Sequence, residues 1–171
     1  MTNIRRALQA AAGGGADKTY VEDVFSTYVY TGTGATYPIV NGIDFDGEGG
    51  WLWTKKRTGG SQNHITFDTE RYVSVSDSNA IFPNLDYASS TQADQVSSFN
   101  DDGYTLHADG WMNTSTDEYV SWSFRKAPGF FDVLTYEGNG TTQAISHNLG
   151  SVPGFIIIKN VDSITSWAVF H

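Results

Sequence analysis

The sequence begins the same pattern of strands and turns twice, and this internal repeat restricts its fold more than any other feature. The stretch FSTYVYTGTGATYPIVNGID starts at Phe25, and FDVLTYEGNGTTQAISHNLG starts at Phe131, 106 positions later. After a short deletion the match resumes, with GWLW at 50–53 facing GFII at 154–157. Glycine serves where a backbone turns, and aromatic or branched side chains fill a half-buried sheet face. What repeats is therefore a fold made of strands.

The second copy is shorter than the first. The first copy needs the span from Phe25 to about Phe124, whereas the second reaches His171 without a counterpart of Tyr72–Phe124. Half a sandwich would expose an apolar face and unpaired strand edges. We therefore expect residues 20–126 to form one β-sandwich domain and residues 127–171 to begin a second, incomplete one. Its missing part would follow in a longer protein, the interpretation we favour, or come from another chain.

Short strands joined by turns also account for the rest of the sequence. Aromatic residues make up 14% of the chain, and the 18 glycines supply turn positions. The expected fold class is all-β, a sandwich or jelly roll. Strands are predicted at Phe25–Thr31, Tyr37–Phe45, Trp51–Lys55, His64–Phe67, Val96–Phe99, Tyr104–His107 and Val120–Phe124, with a hairpin turn at Asn100–Gly103.

Alternation in the last predicted strand indicates one buried face. Val120, Trp122 and Phe124 alternate with Ser121 and Ser123. Large aromatic residues in apolar strands usually belong to the core. We therefore expect Trp122, and likewise Trp51, to be core residues.

Residues 2–12 form the one predicted helix. Ile4, Leu8 and Ala11 share a face, and Gly13–Gly15 ends the run. So short a helix is marginal alone in water, so it should be ordered only against a partner. Residues 1–19 are thus read as an anchor helix and glycine linker, in which Arg5 and Arg6 accompany the apolar face. A frayed terminus is the alternative.

Charge and composition exclude several classes of function. The formal net charge is -9, which disfavours binding to phosphate backbones. No apolar run approaches the roughly 20 residues needed to span a bilayer, and the first residues lack the pattern of a signal peptide. The absence of cysteine excludes disulfides and thiolate metal sites. We expect the protein to bind no nucleic acid and to insert into no membrane. We also expect it to be made in the cytoplasm.

No residue pattern predicts a metal site or any other cofactor. The histidines lack metal-ligand spacing, and they stand apart at His64, His107, His147 and His171. The acidic stretch 44–48 offers carboxylates around a glycine, yet it lacks the remaining ligands of a calcium loop. A solvated hairpin tip is the favoured interpretation of that stretch.

Catalytic residues are not predicted either. Cleavage of a glycoside would need a pair of carboxylates, one with a raised pKa. The candidates lie in polar, turn-like surroundings, at Asp101, Asp102, Asp117 and Glu118. We therefore predict that the chain is not an enzyme, and a depolymerase would need its catalytic pair elsewhere.

Trp111 is the candidate ligand contact. It lies in the loop-like segment ADGWMN, unlike the tryptophans in apolar strands. An exposed indole can stack on a sugar ring or pack against a protein partner.

The segment from Tyr119 to Asn160 resembles a repeated lectin-like domain of tail-fibre and other virion proteins of marine bacteriophages. The similarity rests on YVSWSFRKAP, on the Tyr-x-Gly-Asn-Gly turn at 136–140, and on ISHNLGSVPGFIIIK with the later WAVFH. It implies a concanavalin-like sandwich, assembled as a homotrimer and fixed to a phage tail by its N-terminus. Ile4, Arg5, Arg6 and Leu8 would then contact other tail proteins, and later domains could contact a host glycan. A glycan-binding module is the alternative to this structural role in the virion.

Overall fold

A computed structural model describes residues 19–77, 79–90, 95–108 and 110–171. The predicted helix over 2–12 lies outside these residues. Two one-turn helices and nine strands follow one another along the described chain. They are α1 Val21–Val24, β1 Phe25–Thr31, β2 Tyr37–Val40, α2 Phe45–Glu48, β3 Gly50–Lys56, β4 Ile65–Asp68, β5 Val96–Asn100, β6 Gly103–Leu106, β7 Glu118–Arg125, β8 Ile156–Ile158 and β9 Ala168–Phe170.

Seven of the strands form two sheets that face each other. The larger sheet has the order β1-β7-β3-β4, and the smaller has the order β2-β6-β5. All pairs are antiparallel, and β7 lies between β1 and β3 over its whole length. This arrangement confirms the predicted all-β, sandwich-type fold class.

The core lies between the two sheets. Its fully buried members come from both of them, so the apolar area removed from water holds the layers together. They include Ile39, Leu52, Phe67, Val96, Tyr104, Leu106 and Tyr119. The predicted turn at Asn100–Gly103 is confirmed, since Asn100 pairs with Gly103 across it.

Strand β7 presents its small side chains to the core, which reverses the expectation from its alternation. Ser121 and Ser123 are wholly buried. The hydroxyl of Tyr104 donates a hydrogen bond to Ser121 Oγ at 2.8 Å, and Asn41 Nδ2 donates to Ser123 Oγ at 2.9 Å. The smaller sheet brings bulky rings to this layer, so the serines supply both space and hydrogen-bond acceptors.

The prediction that Trp122 and Trp51 belong to the core is therefore wrong. Both lie on the outer face of the larger sheet, where they are only half-buried. Trp51 faces Phe124 across the strands, and Trp53 faces Trp122. The size and hydrophobicity of these side chains did not indicate a core position, because neighbouring rings on the outer face partly bury one another.

The acidic stretch 44–48 is a helical turn rather than a hairpin tip. Asp44 caps α2 by accepting a hydrogen bond from the Gly47 amide at 2.7 Å. Such a cap satisfies one of the free amides at the start of a helix. The strand predicted to run from Tyr37 to Phe45 consequently ends at Val40.

The second copy repeats one part of the first sandwich. Strands β8 and β9 form an antiparallel hairpin in which Ile156 pairs with Phe170, just as β3 and β4 pair Leu52 with Phe67. The counterpart of β1, at 131–137, contains no strand. The division into domains at residue 126 stays a prediction.

Candidate functional site

Hydrogen bonds hold Trp111 and its neighbour Asn113 in place. The Trp111 amide donates to Gln95 Oε1 at 2.8 Å. Asn113 is wholly buried, accepts from the Thr33 amide at 2.8 Å and donates to the His107 carbonyl at 2.7 Å. If Asn113 turned away, these buried polar groups would lose their partners, so the hydrogen bonds favour the observed positions of Trp111 and Asn113.

The Trp111 side chain remains open to solvent. Its exposed fraction is 43%, and its ring leans on Phe82 with centroids 6.0 Å apart at 49°. A single aromatic neighbour leaves part of the indole surface free for contact. The structure thus places the predicted ligand contact in an exposed loop, while its role stays a prediction.

Trp111 forms one wall of a groove of about 490 Å³. This volume is within the range typical of small-molecule sites. The groove combines one aromatic ring with hydroxyl, amide and ammonium groups. Its lining residues are Lys56, Ser61, Gln62, Asn63, Trp111 and Thr114.

The opposite wall is the loop between β3 and β4. Lys55 Nζ donates to the Gln62 carbonyl at 2.5 Å. Asn84 Nδ2 donates to Asn63 Oδ1 at 2.9 Å, and Asn84 Oδ1 accepts from the His64 amide at the same distance. The two bonds of Asn84 connect this loop to the segment between β4 and β5.

An ion pair neutralises the charge of the groove. Lys56 Nζ lies 2.5 Å from Asp117 Oδ2, with both side chains largely covered. The hydrogen bond that the Lys56 ammonium donates to Asp117 raises the pKa of Lys56, so the ammonium stays charged at neutral pH. An aromatic ring, side-chain amides and a compensated charge together suit a neutral, hydroxyl-rich ligand better than an anion.

The outer face of the larger sheet is a second candidate surface. Its rings form a continuous cluster: Trp51 lies 5.3 Å from Trp53, Trp53 lies 5.7 Å from Trp122, and Trp51 lies 5.5 Å from Phe124. Phe131 from the second copy stacks on Trp51 at 13°. The cluster is therefore already partly covered by the chain itself.

His64 borders this aromatic cluster. Trp53 Nε1 donates to His64 Nδ1 at 2.9 Å, which requires a neutral imidazole at that nitrogen. Burial lowers the pKa of His64, and the charge of Lys55 lowers it further. His64 is thus a structural acceptor at neutral pH.

The remaining predicted candidates are dispersed. Ile4, Arg5, Arg6 and Leu8 lie outside the described residues. In the part of the chain that the structure describes, no three His, Asp or Glu side chains come together to hold a metal ion. Among those same residues, no helix is both long and apolar enough to cross a membrane.

The acidic residues considered for glycoside cleavage are exposed in a turn, at Asp101 and Asp102, or paired with Lys56 and Arg57, at Asp117 and Glu118.

Sequence reasoning missed the groove around Trp111. Lys56 is the last residue of β3, and Gln62 and Asn63 lie in the loop that follows it, about fifty positions before Trp111. The pairing of β3 with β7 brings these residues near the segment that carries Trp111. The one sequence signal for this part of the groove was the pair of amide residues, Gln62 and Asn63, directly before the predicted strand His64–Phe67.

Comparison with known proteins gives one result. A family model described as a domain of unknown function, DUF7483, matches residues 21–171. Neither the curated proteins nor the solved structures contain a match to the chain. The matched region includes the sandwich, the Trp111 groove and the β8–β9 hairpin. The chain therefore belongs to the DUF7483 family.

Proposed function

We propose that this chain is a structural, non-catalytic part of a virus particle, the tail-attaching portion of a phage tail fibre. The observation that carries this proposal is the structural repeat. The hairpin β8–β9 pairs its strands as β3–β4 does, about a hundred residues further along the chain. Units that repeat along one chain build elongated objects, in which each unit contacts chiefly its neighbours.

The proposed attachment point is the N-terminal segment. Ile4 and Leu8 share the apolar face of the predicted helix, and Arg5 and Arg6 flank it. Such a face would dock on another tail protein, as one apolar stripe against a groove. The protein would be made in the host cytoplasm, assemble as a homotrimer and end in the virion.

Particle assembly tests this role. The variants Ile4→Asp and Leu8→Asp each place a charge on the docking face. The control variant Val73→Asp changes a side chain that is 70% exposed on the sandwich. We expect both helix variants to be missing from purified particles while the control is incorporated, with all three proteins folded by circular dichroism. Normal incorporation of the helix variants would contradict the proposal.

A second candidate function is glycan binding at the Trp111 groove. It is favoured by the exposed indole, the hydrogen-bonded amide wall and the compensated Lys56–Asp117 pair. The apolar C–H face of a sugar can lie on an aromatic ring while amides bond its hydroxyls. Under this proposal the groove would contact neutral saccharides on the host surface.

Saccharide titration tests the second candidate. Trp111→Ala should weaken binding of a neutral oligosaccharide about tenfold, as expected for the loss of one stacking contact. The control Tyr87→Ala removes an exposed aromatic ring elsewhere and should bind as the unchanged chain does. Equal affinities for both variants, or no binding by the unchanged chain, would exclude the groove as a glycan site.

A further inference from the structure

Only one member of the Lys56–Asp117 ion pair lines the Trp111 groove. Lys56 is among the lining residues and Asp117 is not, although its Oδ2 lies 2.5 Å from the lysine Nζ. An ammonium has three N–H donors, and Asp117 accepts from one of them. Lys56 can therefore offer two further N–H groups to acceptors in the groove, while Asp117 compensates its charge from outside.

The chain holds the Asp117 carboxylate in place from two sides. Asp117 ends a turn that begins at Thr114, since its amide donates to the Thr114 carbonyl at 3.2 Å. Thr114 also lines the groove, so one turn supplies both a part of the wall and the counterion of the lysine. On the other side, a Cβ at Gly59 would collide with the Asp117 carboxylate. The backbone at Gly59 therefore packs closely against the carboxylate.

The same turn contains a strained residue. Thr116, directly before Asp117, has a φ of 69°, and its amide donates to the Gly32 carbonyl at 3.0 Å. A β-branched residue with such a φ is an outlier, and strain of this kind persists where the surrounding structure requires it, often at functional sites. The turn thus keeps an unfavourable backbone conformation at the point where Asp117 meets Lys56.

We propose that Asp117 determines the specificity of the groove, which selects neutral saccharides with adjacent hydroxyl groups and rejects acidic ones. This inference rests on the glycan-binding candidate described above. Lys56 donates its two remaining N–H groups to adjacent hydroxyl oxygens of a sugar ring that lies on Trp111. Asp117 acts through Lys56, because it positions the ammonium and compensates its charge.

The charge balance explains why acidic sugars are rejected. A hydroxyl oxygen can accept a hydrogen bond from an ammonium that already has a counterion, whereas a carboxylate gains most from an uncompensated positive charge. A carboxylate in the groove would also approach Asp117, and like charges repel. The neighbouring cations Lys55 and Arg57 are not among the described residues that line the groove. An unfavourable contact with the wrong ligand is a common source of specificity.

A matched pair of saccharides tests this proposal on the whole chain. The probes are tetragalacturonate, which is acidic, and its fully methyl-esterified form, which has the same rings without the charge. Asp117→Asn keeps the size of the side chain and an oxygen acceptor for Lys56, whose ammonium stays charged because the ordinary pKa of lysine is about 10.4. We expect this variant to bind tetragalacturonate about tenfold more tightly than the unchanged chain does, as one charge-assisted hydrogen bond implies. Both proteins should bind the ester with nearly the same affinity.

The matched control is Glu118→Gln, which removes one negative charge at the next residue. Glu118 is half exposed and pairs with Arg57 at 4.0 Å. We expect no gain in affinity for tetragalacturonate from this control. An equal gain from both variants would mean that the overall charge of the chain decides the preference, and it would overturn the proposal.

The role of Lys56 as a donor is tested by Lys56→Met, which keeps most of the length of the side chain and removes the ammonium. We expect the affinity for the ester to fall about tenfold, because two hydrogen bonds to the sugar are lost. Unchanged binding of the ester by this variant would also overturn the proposal.

A measurement without saccharide separates this inference from the glycan-binding proposal. An anionic and a neutral nitroxide, carboxy-TEMPO and hydroxy-TEMPO, are compared by the relaxation that each causes at the amide protons of Gln62, Asn63 and Thr114. Asp117→Asn should raise the ratio of the anionic to the neutral effect about threefold at low ionic strength, as one uncompensated charge at about 7 Å in water implies. An unchanged ratio would overturn the proposal even if the ester binds. A raised ratio without binding of either saccharide would overturn the saccharide specificity together with the glycan function, and only the charge compensation by Asp117 would stand.

Discussion

The substitution Ser121→Val tests whether β7 turns its small side chains into the core. Valine favours strands, so the sequence alone predicts little harm. In the structure, Ser121 is wholly buried and accepts a hydrogen bond from Tyr104 at 2.8 Å. Burial raises the pKa of Tyr104, so its hydroxyl stays protonated and needs an acceptor.

The expected loss of stability has two parts. Removing the serine hydroxyl leaves the buried Tyr104 hydroxyl without a hydrogen-bond acceptor, which costs about 1–3 kcal/mol. Valine also replaces the hydroxyl with one methyl group and adds a second methyl group on Cβ. The added volume costs about 1–3 kcal/mol in a well-packed core. We expect the free energy of unfolding to fall by about 2–6 kcal/mol for Ser121→Val.

A double-mutant cycle separates the two parts. Ser121→Ala alone should cost about 1–3 kcal/mol, and Tyr104→Phe alone about 1 kcal/mol. The double variant should cost less than the sum by about 1 kcal/mol, because neither partner is then left unsatisfied. The assay is urea unfolding of the whole chain followed by tryptophan fluorescence.

The control is Ser98→Val on β5, a half-buried position whose hydroxyl bonds to Asn100 at 2.8 Å. It should lose much less stability than Ser121→Val. An unchanged or increased free energy of unfolding for Ser121→Val would refute the orientation of β7.

Three further predictions concern His64, Thr116 and Gly32. Because burial lowers the pKa of His64 in the folded chain, the unfolded state takes up the proton first as the pH falls below about 6.5. The urea midpoint should therefore fall between pH 7 and 5, and His64→Gln should weaken this dependence. Thr116 has a φ of 69°, so Thr116→Gly should raise the free energy of unfolding by up to about 1 kcal/mol, measured by urea unfolding. A Cβ at Gly32 would collide with the Thr114 carbonyl oxygen, so Gly32→Ala should lower the melting temperature, at a cost of about 1–3 kcal/mol.

Local patterns predicted the parts of the fold that depend on neighbours in the chain. Strand β1 lies where its branched and aromatic residues indicated, and the turn at Asn100–Gly103 follows from its residue types. The helical turn α2 was missed because its cap, Asp44, lies among glycines that also indicate a turn. Such a cap is recognisable only when the hydrogen bond to Gly47 is seen.

The features that depend on distant parts of the chain were not predictable. Which face of β7 is buried depends on Tyr104 and Asn41, which reach its serines from the other sheet. The groove depends equally on tertiary pairing. Trp111 was identifiable from its polar loop, whereas Gln62 lies near it only because β3 pairs with β7.

The tryptophan cluster on the outer face has a spectroscopic consequence. Trp51, Trp53 and Trp122 lie with ring centroids 5.3 and 5.7 Å apart and with their planes inclined at 45° and 65°. Indole transitions at such distances and inclinations couple, and we expect a paired positive and negative band in the circular dichroism spectrum. Because Trp53 lies on β3 and Trp122 lies on β7, the part of the signal that comes from this pair would report the pairing of two strands that are distant in sequence. This circular dichroism band would therefore follow the formation of the larger sheet during folding.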